Sequence, residues 1–84
     1  MTTRIVKRTQ TGVRIESSLL KVLKGLAEYT DLSLGDLLEG IVLHAFEGKA
    51  PFSAETRKVI TQLKEVYGCK LNSADSHRLV EDDH

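Results

Sequence analysis

The chain has 84 residues, with twelve Lys and Arg balanced by twelve Asp and Glu and a single cysteine, Cys69. That length holds one small domain at most. One cysteine excludes an internal disulfide framework and suits a reducing compartment. No apolar run approaches the ~20 residues of a membrane span, and residues 1–9 lack the apolar stretch of a signal peptide, so a cytoplasmic protein is expected. The zero net charge conceals a segregated pattern: Arg4, Lys7, Arg8, Arg14, Lys21 and Lys24 face only Glu16 in residues 1–24, whereas residues 25–48 carry Glu28, Asp31, Asp36, Glu39 and Glu47 with no Lys or Arg. Two readings follow: a basic block that meets a polyanion, or two blocks that neutralise each other across the fold.

Residues 1–8 read as a flexible basic arm. Residues Gln10 to Ile15 then alternate, with Thr11, Val13 and Ile15 on one face and Gln10, Gly12 and Arg14 on the other, the period of a strand. A strand of about six residues cannot satisfy its own N–H and C=O groups, and the remaining chain reads as helix, so the expected partner is the same strand in a second copy. Leu19, Leu20, Val22, Leu23, Leu26 and Ala27 recur at helical spacing and predict a first helix from Glu16 to about Tyr29, opened by Glu16, Ser17 and Ser18. Ser33 followed by Asp36 resembles a capping box for a second helix. That helix carries Leu34, Leu37, Leu38, Ile41, Val42, Ala45 and Phe46 on one stripe and ends at Gly48. Gly35 and Gly40 lower its intrinsic propensity and mark a possible close helix approach across a dimer, or two tolerated surface glycines. Pro51 and Ser53 precede a third helix, about Ala54 to Tyr67, with an apolar stripe of Val59, Ile60, Leu63, Val66 and Tyr67 closed by Gly68. Residues 69–84 form a polar tail with an acidic end, read as disordered. A monomer with so few apolar elements sits near zero stability, so an obligate homodimer is expected.

The order strand, helix, turn, helix resembles the ribbon-helix-helix family of dimeric bacterial and phage DNA-binding proteins, the group of the Arc and MetJ repressors. The resemblance rests on T-Q-T-G-V-R-I, L-L-K-V-L-K-G-L-A-E and L-S-L-G-D-L-L-E-G-I-V and covers residues 9–48. It leaves residues 49–68, a linker and third helix, and the tail outside. It implies a mainly α fold with one short strand, an intertwined homodimer with a two-stranded antiparallel ribbon, and an added C-terminal helix. The implied core of that dimer is Val13, Ile15, Leu37, Leu38, Ile41, Val42 and Ala45. In that family the ribbon enters the major groove of double-stranded DNA. Carried over, the base-contacting set is Gln10, Gly12 and Arg14: Arg14 can fork onto guanine O6 and N7, Gln10 can pair with adenine N6 and N7, and Gly12 departs from the pattern by offering no side chain. The implied phosphate contacts are Arg4, Lys7, Arg8 and Lys21, with the amide groups of Ser33, Leu34 and Gly35 at the start of the second helix.

The function expected from these residues is sequence-specific DNA binding and transcriptional repression by a nucleoid-associated protein. A rival is an antitoxin-like interaction module whose third helix binds a partner protein through Val59, Ile60, Leu63 and Val66. A third reading is a dimeric scaffold with weak or no DNA binding, in which Arg14 is a solvated residue paired with Glu16. Catalysis finds no support: His44, His77, His84 and Cys69 make no metal-ligand spacing, and no phosphate loop is present. No enzyme activity, metal or cofactor is expected, and Cys69 reads as an inert thiol.

Overall fold

A computed structural model describes residues 3–82. These residues form three helices, α1 (Ser17–Thr30), α2 (Leu34–Phe46) and α3 (Ala54–Val66), followed by one 3₁₀ turn at Ser73–Asp75. Each helix lies within two residues of the span its apolar periodicity defines. The strand does not form: residues 3–16 carry no helix or strand, and the described residues contain no β-sheet. The two-stranded ribbon expected from the alternation at 10–15 is therefore corrected to an irregular, exposed segment. The physical reason is that alternation supplies only the two faces of a strand. The ladder that would hold it needs an edge to pair with, and this helical chain has none to offer.

The helix boundaries follow from local chemistry. The Glu16 carboxylate caps α1 by accepting from the amides of Ser18 at 3.1 Å and Leu19 at 3.0 Å. At the other end Asp31 turns into the left-handed region at φ 58°, and the Leu32 amide donates back to the Ala27 carbonyl at 3.0 Å. Ser33 Oγ caps α2 through the Asp36 amide at 3.1 Å, and Ser53 Oγ caps α3 through the Thr56 amide at 3.2 Å. Gly48 and Gly68 close α2 and α3 with φ of 69° and 64°. The same six-residue return bond follows each, from Lys49 to His44 at 2.9 Å and from Cys69 to Lys64 at 2.8 Å.

α1 is the central element and packs against both α2 and α3. Leu26, 2% exposed, forms the core with Ala27 and Leu37, and Leu23, Ile41, Phe52, Ile60 and Leu63 close around them. Ile60 and Leu63 are thus occupied inside the chain, and of the third-helix stripe Val66 and Tyr67 stay exposed. Close helix approach occurs at Gly25 rather than at Gly35 or Gly40: a Cβ built on Gly25 would lie 3.0 Å from Leu63 Cδ2, whereas Gly40 has open space around it and Gly35 meets only Ser33 Oγ at 4.0 Å. The core remains thin. The radius of gyration is 14.2 Å, against about 12 Å for a compact chain of this length, because the N-terminal segment and the tail add little to the packed helices.

Two substitutions separate these glycines. Gly25→Leu drives a side chain into Leu63 and should cost about 1–3 kcal/mol, whereas Gly40→Ala should raise stability by up to about 1 kcal/mol through helix propensity. Urea midpoints at constant m-value measure both; equal effects would show that α1 and α3 do not meet at Gly25.

Candidate nucleic-acid interface

The cationic N-terminal segment is placed by its arginines. Residues 3–15 are joined to the rest of the described chain by no backbone–backbone hydrogen bond. Arg8 anchors the segment instead: its Nε donates to Glu39 Oε2 at 2.9 Å, and its Nη2 to Glu39 Oε1 at 2.8 Å and to Asp36 Oδ1 at 3.1 Å. This is a two-pronged guanidinium–carboxylate contact on one face of α2. It lowers the Glu39 pKa, first through the hydrogen bond from Arg8 and then through its charge, with partial desolvation opposing. Beneath the anchored segment runs a shallow groove lined on its apolar side by Val13, Ile15, Leu20, Leu34 and Leu38.

Arg14 is the second pinned cation. Its Nε donates to Glu81 Oε1 at 2.8 Å and its Nη2 donates to the same oxygen, which brings the acidic tail against the start of α1 beside Ile15 and Ser17. The pairing of Arg14 with Glu16 weighed from sequence is not made. Glu16 serves the α1 cap, and its carboxyl is held below the ordinary glutamate pKa, chiefly by the Ser18 hydroxyl and then by the Ser18 and Leu19 amides. The reciprocal half of the Ser33/Asp36 capping box is likewise replaced, because Asp36 accepts from Arg8.

The expected DNA-contacting residues divide accordingly. Gln10, Gly12 and Arg14 are all exposed on the one segment, as are Arg4, Lys7 and Arg8, while Lys21 is exposed on α1. Ser33 keeps its hydroxyl on the Asp36 amide. The amides of Leu34 and Gly35 stand in the first turn of α2, where the carboxylates of Asp36 and Glu39 lie close to the Arg8 guanidinium. Of the expected dimer core, Leu37 is buried within the chain, Ile15, Leu38 and Ile41 are half-buried, and Val13, 72% exposed, is open to solvent with Val42 and Ala45. Residue types alone did not reveal that Glu39 and Glu81 hold the arginines. The available signal was the segregation of charge between residues 1–24 and 25–48, which the Arg8 contacts bring together.

Other chemistry-bearing side chains are engaged locally. His44 Nδ1 lies 2.7 Å from the Gly40 carbonyl. Cys69 is buried, and Lys64 Nζ donates to the Leu71 carbonyl at 2.7 Å. Among the described residues no three His, Cys, Asp or Glu side chains come together as a metal site, and no helix is long and apolar enough to cross a membrane.

The Glu16 cap has a pH signature. Its folded-state pKa is depressed, so its contribution is complete above the unfolded value of about 4.3 and is lost as pH falls through the lower folded value. Glu16→Gln should therefore be less stable than the parent at neutral pH, with the gap in urea midpoint closing as the pH is taken below the ordinary carboxylate range. A gap independent of pH would show that the charge plays no part in the cap.

No family model, no curated protein and no solved structure matches this chain.

Proposed function

We propose that this chain is a homodimeric regulator that binds double-stranded DNA through its N-terminal segment, with repression of transcription in the cytoplasm as the outcome. The observation that carries this reading is the placement of Gln10 and Arg14, with Arg4, Lys7 and Arg8, on one exposed segment outside the helices. Such a segment can follow a groove and lay side chains on base edges and phosphates without disturbing the packed helices.

A second copy is invoked for a physical reason. Leu34 and Leu38, half-buried in the groove beneath the N-terminal segment, are followed at four-residue intervals along α2 by Val42 and Phe46, 43% and 82% exposed. An apolar row of this kind beside a thin core is characteristic of a surface covered by association. Gly40 sits two residues from Val42, on the opposite side of the helix, and stays clear of that surface. The interaction-module reading retains Val66, exposed beside Tyr67 at the end of α3, but Ile60 and Leu63 are committed to the chain's own core. The scaffold reading draws on the pairing of Arg8 and Arg14 with carboxylates.

Gel shifts across a salt series distinguish these readings. A DNA binder that neutralises Z phosphates shows a log–log slope near −0.9Z, and a scaffold shows no shift even at low salt. Arg14→Ala should cost about 1–3 kcal/mol and relax base preference, whereas Lys7→Ala should weaken binding to all sequences alike. Indistinguishable profiles would remove the base-reading role of Arg14. Light scattering after size exclusion tests the second copy: the parent should run at twice the chain mass and Phe46→Asp at the chain mass, while a monomeric parent would overturn the dimer.

A further inference from the structure

We propose that the 79–82 segment is an internal competitor for DNA, with the Glu81 carboxylate occupying the Arg14 guanidinium edge that would otherwise read a base. This rests on the DNA-binding reading above and adds to it a form of self-regulation. The two Arg14 nitrogens that meet Glu81 are Nε and Nη2, an edge that can present two parallel donors to an acceptor pair such as O6 and N7 of guanine. Glu81 takes both donors on a single oxygen, so an incoming base cannot use this Nε/Nη2 edge while the tail holds it. Leu79 to Asp82 line an open groove with Arg14, Ile15 and Ser17, and because the tail belongs to the same chain the carboxylate is kept at high local concentration.

The strength of the contact suits competition rather than permanent closure. Arg14 and Glu81 are 84% and 57% exposed, and ion pairs at such exposure are weak and screened by salt. DNA that engages Arg14 displaces the tail at one common cost, so the tail lowers the affinity of every Arg14-reading site by the same factor and leaves sites that do not use Arg14 unaffected.

The test uses the full chain and a fluorescein-labelled duplex of about two helical turns in about 50 mM salt. Glu81→Gln should tighten binding about two- to fivefold. Glu55→Gln, an equal change of charge in the first turn of α3, controls for net charge and should give less than half that gain. The Glu81→Gln gain should vanish in an Arg14→Ala background, and the Arg14 Nε–Hε resonance of the DNA-free protein should shift on Glu81→Gln alone. The proposal is overturned by equal gains from Glu81→Gln and Glu55→Gln, by a gain that persists without Arg14, or by an unmoved resonance. A duplex that no variant binds removes the DNA-binding reading and the competitor with it. That result is distinct from a parent that binds while Glu81→Gln changes nothing, which removes the competitor alone.

Discussion

Leu26 has to be covered from two directions at once, and most of the architecture follows from that requirement. It sits in the second half of α1 in one cluster with Leu37 of α2, and Ile60 and Leu63 of α3 pack against that cluster. A single helix pair would leave one side of this leucine in water, forfeiting a substantial part of the roughly 1.5–3 kcal/mol that full burial of such a side chain returns. α3 can approach closely because residue 25 lacks a side chain at the crossing, so Leu63 and Tyr67 lie directly over the α1 backbone. The three helices are then arranged as two flanks on one central element, with the first half of α2 near the N-terminal segment.

That arrangement determines where the charges meet. The anions of α2 project toward the N-terminal segment because its apolar residues Leu37 and Ile41 turn toward α1, leaving Asp36 and Glu39 on the solvent side. Arg8 is drawn onto them, and the segment is held by side chains rather than by a backbone ladder. Contacts of this exposure are weak and screened by salt. They define a resting position that a denser array of phosphates can replace, since each additional neutralised phosphate adds the entropy of released counterions. Neutral net charge and affinity for a polyanion are compatible when the internal anions are this loosely held.

The helices were legible because their determinants are close in sequence. Ser33 and Ser53 reach amides three residues ahead, Gly48 and Gly68 supply the left-handed turn at the end of their own helices, and the apolar spacing reports which side of each helix can bury. The strand at 10–15 was misread because alternation is a statement about faces, whereas a strand exists only with a neighbour at hydrogen-bonding distance. Gly25 was missed for a related reason. Gly35 and Gly40 stood out by interrupting an apolar stripe, while Gly25, hidden among Lys24 and Leu26, is the one over which another helix passes. The residues proposed to contact DNA could be nominated from type and position, but their partners in the free chain could not, since Glu39 and Glu81 lie 31 and 67 residues from the arginines they hold.

By itself, then, the order of residues determined three helices, their caps and the apolar stripes from which the core is drawn, because each depends on residues within a few turns of the backbone. Only the tertiary structure decided that α3 folds back onto α1, that residues 10–15 remain without a ladder, and that Arg8 and Arg14 are met by carboxylates from α2 and the tail. Those outcomes depend on which distant segments are brought together, and the packing around Leu26 and Gly25 does that.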